Sequence, residues 1–151
     1  MQVNGKHYRT VIMEGSTVRM INQPLIPYRF ELIALPTHRD TARAIRTMVV
    51  RGAGAIGAAG GYGMAQVALE APDGPGFDVY IAQGAETLRA TRPTAQDLFY
   101  AIDQVLRSIK GAGRIAEARQ ASVERAQALA DENAAAGEAI GRIGAALIPD
   151  G

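Results

Sequence analysis

Residues 51–70 read RGAGAIGAAGGYGMAQVALE, and this stretch decides the fold. Glycine, alanine and other apolar residues dominate it, and it carries no charge between Arg51 and Glu70. Helices made of such small residues have low intrinsic stability, but they let neighbouring backbones approach closely. We therefore predict a helix from about Gly54 to Glu70 that lies at the centre of the protein, with other helices packed around it.

The segments on either side of this stretch also have helical periodicity. Before it, Thr37 is a good N-cap residue, and Asp40 falls near the positive end of the helix that follows. After it, a Pro/Gly loop over residues 71–76 ends the central helix. Three more helices are predicted: residues 77–91, a helix opened by Pro93 and Thr94 and closed at Lys110, and residues 114–147, with a break near Gly137 or Gly141 as an open alternative.

The amino-terminal part is different, because short β-prone runs alternate there with turn formers. The runs cover residues 8–13, 17–21 and 30–34, and their connections are too short for crossover helices. The fold class is therefore predicted as α+β and mostly helical, with a small antiparallel β-meander over residues 1–35 and a bundle of about five helices over residues 36–151.

Composition excludes several classes of function. A formal net charge of +1 gives too weak a field to favour nucleic acid or an anionic membrane as the main partner. The chain has no cysteine, which excludes disulfides, thiolate zinc sites and a cysteine nucleophile within these 151 residues. No apolar run reaches the roughly 20 residues that a membrane span needs. We predict a cytoplasmic protein without a cofactor.

The segment that starts the central helix is also the strongest candidate for a binding site. Glycines at Gly52 and Gly54 let successive backbone N–H groups turn inward, the helix contributes its positive end, and Arg51 adds a fixed cation. A phosphate fits this environment. The competing interpretation is that the glycines serve only close helix packing.

The same segment matches the dinucleotide pattern G-x-G-x-x-G through Gly52, Gly54 and Gly57. That pattern requires a strand before it, and an acidic residue about 20 positions later at the end of a second parallel strand. Here a helical period precedes it and a Pro/Gly loop follows at the relevant distance. Nucleotide binding is therefore the weaker alternative.

A second arginine, Arg92, stands just before the helix that Pro93 opens. Proline fixes the backbone there, so the guanidinium leaves the chain next to free helix N–H groups. Arg51 and Arg92 together predict one phosphate site, because guanidinium groups bind phosphate oxygens bidentately. The competing interpretation is that Arg92 pairs with a surface carboxylate.

Other polar and aromatic residues give weaker signals. The two histidines, His7 and His38, have no spacing partner for a metal site, so we predict no metal and place both histidines at the surface. Tyr62 follows the glycine-rich turn and is a candidate for lining a substrate pocket, with a core aromatic as the alternative.

Several stretches together resemble the methylthioribose-1-phosphate isomerase and initiation factor 2B-like family. The similar segments are AIRTMVVRGA over residues 44–53, Ala55-Ile56-Gly57, TRPTA over residues 91–95 followed by Leu98, and Asn133 with Ile140-Gly141, Gly144, Leu147 and Asp150-Gly151. The resemblance covers essentially the whole chain.

The resemblance implies an amino-terminal domain that packs on a Rossmann-like carboxy-terminal domain, which is absent here. It implies that Arg51, Gly52, Ala53 and Arg92 hold the phosphate of a ribose-phosphate-type small molecule. Gly54 is, like Tyr62, a candidate for lining the pocket. The family's catalytic cysteine and aspartate lie beyond this chain, so no catalytic residue is expected in it. The missing half would come from the parent chain or a separate polypeptide, and a homo-oligomer is expected.

One departure leaves the substrate open. The family usually has proline where this chain has Gly54, and glycine there is similar to the ribose-1,5-bisphosphate isomerases. A further alternative is a non-catalytic module for regulation or assembly, like the initiation factor 2B relatives.

Overall fold

The computed structural model describes residues 2–148, and it contains five helices behind a small β region. The predicted fold class, α+β and mostly helical, is confirmed. Residues 150–151, which contributed to the resemblance, lie outside the described residues. The helices are α1 (His38–Arg46), α2 (Ala53–Glu70), α3 (Phe77–Arg89), α4 (Gln96–Lys110) and α5 (Ile115–Ala145).

The β region consists of two small antiparallel sheets. The predicted meander is confirmed, with strand order β3-β4-β5 and Val18 opposite Leu35 in the second pair. A hairpin precedes it and turns at Asn4 and Gly5, which both have positive φ, as the tight hairpin turns require. The strands are β1 (Gln2–Val3), β2 (Lys6–His7), β3 (Val11–Glu14), β4 (Thr17–Ile21) and β5 (Leu32–Leu35).

Helix α2 lies at the centre, as its small residues predict. It contacts the other four helices as well as β3 and β4, and every residue from Ile56 to Ala68 is buried. Close approach explains the glycines: a Cβ on Gly60 would lie 2.4 Å from Cδ1 of Leu98. The packing of α4 against α2 therefore depends on the missing side chain at this position.

A buried glutamine joins α2 to the meander and to α1. Gln66 is 1% exposed, and its Nε2 donates to the carbonyls of Ser16 at 3.0 Å and Leu35 at 2.8 Å. Its Oε1 accepts from the hydroxyl of Thr41 at 2.7 Å. Buried polar groups destabilise a protein only when they lack such partners, so Gln66 fixes the sheet on the helices without that penalty.

The prediction that His38 lies at the surface is wrong. The side chain is 3% exposed, and its Nδ1 lies 2.6 Å from Oε2 of Glu70, the last residue of α2. Tyr80 of α3 donates its hydroxyl to the same carboxylate at 3.1 Å. Sequence placed His38 in a first helical turn, but it could not show that the far end of α2 and the start of α3 close over it.

The start of α4 also differs from prediction. The helix begins at Gln96 with Ala95 at the N-cap, so Thr94 does not cap it. The N–H of Ala95 donates to the carbonyl of Arg92 at 3.0 Å, which closes a turn with Pro93 at its second position. Proline is favoured at that turn position as well as at a helix start. Arg92 therefore belongs to the α3–α4 turn rather than standing at the mouth of a helix.

Helix α5 is continuous, and neither Gly137 nor Gly141 breaks it. Its first half buries one face in the bundle, but beyond Ala130 most residues are exposed. The apolar positions in and just after this second half are open to solvent: Ile140 (72% exposed), Ile143 (67%), Leu147 (81%) and Ile148 (74%). No helix within residues 2–148 has the length and apolarity to cross a lipid bilayer.

Candidate anion-binding site

The candidate site is built on the loop between α1 and α2, residues 47–52. Helix α1 ends in a Schellman motif, in which the N–H of Met48 donates to Ile45 O at 3.2 Å and the N–H of Val49 donates to Ala44 O at 2.9 Å. Met48 takes the left-handed conformation that this motif requires, with φ of 60°. The chain thus turns sharply out of α1.

Gln23, which begins a single 3₁₀ turn (Gln23–Leu25), holds the second part of the loop. Its backbone N–H donates to the carbonyl of Val49 at 3.1 Å, and its side-chain Oε1 accepts the N–H of Arg51. Val50 between them is fully buried. The backbone is therefore fixed up to Arg51, whereas the guanidinium of Arg51 is exposed.

The loop leads directly into the amino terminus of α2. Gly52 has φ of 94°, a value that side chains disfavour, and its carbonyl accepts the first helical bond, from the N–H of Ile56 at 2.9 Å. The N–H groups of Ala53, Gly54 and Ala55 therefore have no acceptor within the helix. Gly52 has no side chain to cap them, and the first turn holds no acidic residue. The combination attracts an anion.

Arg92 reaches this same loop. Its Nη1 contacts Sδ of Met48, so the α3–α4 turn and the α1–α2 loop meet through these two side chains. Arg92 is half-buried. Among residues 2–148, neither Arg92 nor Arg51 forms an ion pair with a carboxylate, whereas Arg89 pairs with Asp103 and Glu86. Arg92 therefore contacts Met48 and does not pair with a surface carboxylate of the described residues, which was the competing interpretation.

Helices α4 and α5 approach the first turns of α2 closely. A Cβ on Gly54 would lie 1.9 Å from Nδ2 of Asn133, and a Cβ on Gly57 would lie 3.1 Å from the carbonyl oxygen of Asp97. Asn133 is exposed, so its amide covers the start of α2 at the surface. The side-chain amide of Asn133 therefore occupies the space that a side chain at Gly54 would take.

Two cavities flank Asn133. One of about 220 Å³ includes Gly54, Asp97 and Tyr100 in its lining. The other, of about 590 Å³, lies between the amino-terminal strands and the helices, and Arg9 and Ala55 are part of its lining. A larger cleft of about 680 Å³ lies elsewhere, between α3, the end of α4 and the start of α5, and none of the predicted site residues lines it.

Tyr62 lies in the core and lines neither cavity beside Asn133. It is 1% exposed, and its hydroxyl donates to Oε1 of Gln127 at 3.0 Å. Burial raises the pKa of Tyr62 to about 12, and the nearby Asp131 carboxylate adds to the shift. Hydrogen bonds from Arg9 and Gln127 lower the pKa of Asp131 below its ordinary value. The chain Tyr62–Gln127–Asp131–Arg9 thus ties α2, α5 and the amino-terminal segment together.

Arg92 thus contacts Met48 in the loop that carries Arg51 and Gly52 and leads into Ala53 and Gly54, whereas Tyr62 lies in the core. Within residues 2–148 there is no group of three His, Asp or Glu side chains arranged to hold a metal ion. Sequence reasoning missed the roles of Gln23 and Met48. In the sequence, Gln23 lies in a run of turn formers with Asn22 and Pro24, and Met48 is an apolar residue at helical spacing from Ile45.

Comparison with protein families decides the relationship. The model of the initiation factor 2 subunit family matches residues 49–151, which begin at the candidate site. The chain belongs to this family.

Individual relatives carry the name methylthioribose-1-phosphate isomerase. The protein of Methylorubrum extorquens is 40% identical over 152 residues, which cover 99% of this chain and 40% of the relative. That of Thermosynechococcus vestitus is 39% identical, covering 92% of this chain and 40% of the relative. The chain therefore spans about two-fifths of the length of these curated relatives.

Two solved structures share the fold over almost the whole chain. The 5-methylthioribose 1-phosphate isomerase of Pyrococcus horikoshii superposes with a TM-score of 0.90 at 35% identity, covering 97% of this chain and 42% of that one. The delta subunit of the initiation factor eIF-2B of A. fulgidus gives 0.87 at 30% identity, covering 96% and 43%. An isomerase and an initiation factor subunit are thus both similar to this chain.

Proposed function

We propose that this chain is the amino-terminal, phosphate-binding part of a sugar-phosphate aldose–ketose isomerase that resembles methylthioribose-1-phosphate isomerase. The observation that carries the proposal is the contact of Arg92 with Met48, in the loop that presents Arg51 and opens α2. In this proposal Arg51 and Arg92 bind phosphate oxygens as cations, and the N–H groups from Gly52 onward donate to them.

The role of this part in the reaction is positioning. A cyclic sugar 1-phosphate would open and shift a proton between its first two carbons, so the aldose becomes a ketose. Holding the phosphate fixes the sugar relative to the reacting groups, and oriented donors do so without reorganisation during the reaction. The chain contains no cysteine, so a catalytic thiol has to come from outside it. We expect the chain alone to be catalytically inactive.

The second half of α5 supports the proposal of a missing partner domain. Its exposed apolar side chains, such as Ile140 and Ile143, continue the helical spacing of the buried first half. Contiguous exposed apolar surface marks an interaction site. We propose that a Rossmann-like carboxy-terminal domain, from the same chain or a separate polypeptide, covers this face. The division at residue 35, a homo-oligomer and a cytoplasmic location remain predictions.

A second candidate function is a non-catalytic module for regulation or assembly. The similarity to the eIF-2B delta subunit and the exposed apolar face of α5 favour it. Self-association of the purified chain without affinity for sugar phosphates is the result that this alternative expects. If the chain is part of an isomerase, Gly54 leaves ribose 1,5-bisphosphate as the alternative substrate.

Titration calorimetry of the purified chain tests the proposal. Ribose 1-phosphate is expected to bind at least about tenfold more tightly than free ribose, because charge-assisted hydrogen bonds to the phosphate supply most of the affinity. NAD serves as the control for the dinucleotide alternative, and we expect no saturable binding of it. Equal affinity for ribose and ribose 1-phosphate would contradict a phosphate site.

A further inference from the structure

We infer that Met48 and Gln23 are positioning residues of the anion site. Neither is expected to touch the bound anion. Met48 holds the guanidinium of Arg92 against the loop, and Gln23 fixes the backbone at Arg51. The inference rests on the proposed function, because it names the residues that shape the same phosphate site.

The backbone conformation of Met48 is the first observation. Within residues 2–148 only Asn4 and Met48 have positive φ without being glycine, at 51° and 60°. Asparagine is common in such a conformation, and Asn4 turns a hairpin with Gly5. Met48 occupies the position after a helix where glycine is the usual residue, because a side chain is disfavoured there. The turn itself therefore does not explain the methionine, and the explanation must lie in a contact of its side chain.

The side chain of Met48 supplies that reason. It is half-buried, and its Sδ contacts Nη1 of Arg92, which has no carboxylate partner among the described residues. A thioether is polarizable and unbranched, so it packs along a guanidinium without competing for the charge. Arg92 thus keeps its Nη2 and Nε donors for an anion, while its position is set by a contact that glycine could not make.

Gln23 acts on the other arginine from the opposite side of the loop. It contacts the backbone twice, with its own N–H on the carbonyl of Val49 and its Oε1 on the N–H of Arg51. These two bonds span Val50, which is fully buried and cannot swing outward. Loss of the side-chain amide would release the N–H of Arg51 and, with it, the turn into Gly52. In metal sites, neighbours that orient the ligands change the affinity without touching the metal, and we propose the same kind of role for Gln23 at this anion site.

The deciding variant is Met48→Gly. A structural role of Met48 predicts that the melting temperature falls in this variant, whereas a positioning role predicts that it stays equal or rises. Glycine relieves the left-handed conformation, so the melting temperature is expected to stay equal or rise. The affinity for ribose 1-phosphate in calorimetry is expected to fall about tenfold, as for loss of an orienting neighbour. Met48→Leu keeps an apolar contact of similar size and is expected to bind within about twofold of the wild type.

The matching variant for the other half of the loop is Gln23→Ala, with Gln120→Ala on the exposed surface of α5 as its control. Gln23→Ala is expected to lower the affinity for ribose 1-phosphate about tenfold, and Gln120→Ala to leave it unchanged. The backbone amide resonances of Arg51 and Gly52 should shift in the Gln23 variant before any ligand is added.

The outcomes distinguish a failure of the positioning roles from a failure of the proposed phosphate-binding function. Wild-type affinity in both Met48→Gly and Gln23→Ala, while Arg51→Ala and Arg92→Ala bind weakly, would overturn the inference and leave the phosphate site standing. A fall in affinity of Met48→Gly that is matched by a fall in melting temperature would mean a structural role and would also overturn it. Failure of the wild type to bind any phosphate would overturn the proposed function itself.

Discussion

The Arg92→Ala variant is expected to bind ribose 1-phosphate at least about tenfold more weakly than the wild type. A hydrogen bond to a charged group contributes about 1.5–3 kcal/mol, and about 1.4 kcal/mol is tenfold in affinity. Arg92 is half-buried and makes no ion pair within residues 2–148, so its removal should cost mainly ligand binding. Calorimetry measures the affinity, and thermal melting checks that the fold is retained.

Arg107→Ala is the matched control for this prediction. Arg107 is also an arginine without a carboxylate partner in the described part of the chain, but it is exposed near the opposite end of α4. Its substitution is expected to leave the affinity within about twofold of the wild type, because charges beyond about 10 Å are screened at moderate salt. Equal losses in the Arg92 and Arg107 variants would show a general effect of charge and would count against a specific site.

The Gly84→Ala variant is expected to lose about 1–3 kcal/mol of unfolding free energy, the usual cost of overpacking a core. A Cβ at Gly84 would lie 2.3 Å from Cγ1 and 2.5 Å from Cγ2 of Val67, which is fully buried on α2. Valine is branched at Cβ and cannot turn away easily, so α3 must move outward. Urea unfolding followed by circular dichroism gives the free energy directly.

Gly137→Ala also replaces a glycine within a helix, but it is expected to stabilise the protein. Gly137 lies within α5, is exposed, and a Cβ there would meet no atom within 4 Å. Alanine is a better helix former than glycine, so this variant is expected to gain about 0.5–1 kcal/mol. If Gly84→Ala were as stable as Gly137→Ala, the close packing of α3 on α2 would be wrong.

Much of the fold could be predicted because it depends on local patterns. The composition of residues 51–70 predicted a central helix, since only small residues allow neighbours on every side. The cap at Thr37, which accepts the N–H of Asp40 at 3.2 Å, could be predicted from residues three positions apart. The meander followed from runs of β-prone residues separated by short turns.

The features that could not be predicted are those in which distant segments meet. His38 is buried because Glu70 and Tyr80 arrive from other helices, and no local pattern records that encounter. Pro93 fits a turn and a helix start equally well, so the sequence did not distinguish them. A helix over residues 114–147 was predicted, but not that the second half of α5 lies open to solvent within this chain.

In the candidate site, too, the local features could be predicted and the contacts between distant segments could not. Arg51, Gly52 and the start of α2 could be predicted because they are consecutive in sequence. The meeting of Arg92 with Met48 depends on how α3 and α4 pack on α2, and the role of Gln23 depends on where the chain passes before α1.

The central claim is that Arg51 and Arg92 bind one anion, and a double-mutant cycle with ribose 1-phosphate tests it most directly. Calorimetry of the wild type, both alanine variants and the double variant yields a stoichiometry and a coupling free energy. We predict one anion per chain and a coupling of at least about 0.5 kcal/mol, because residues that share a ligand are not additive. Two anions per chain, or losses that simply add, would contradict a shared site.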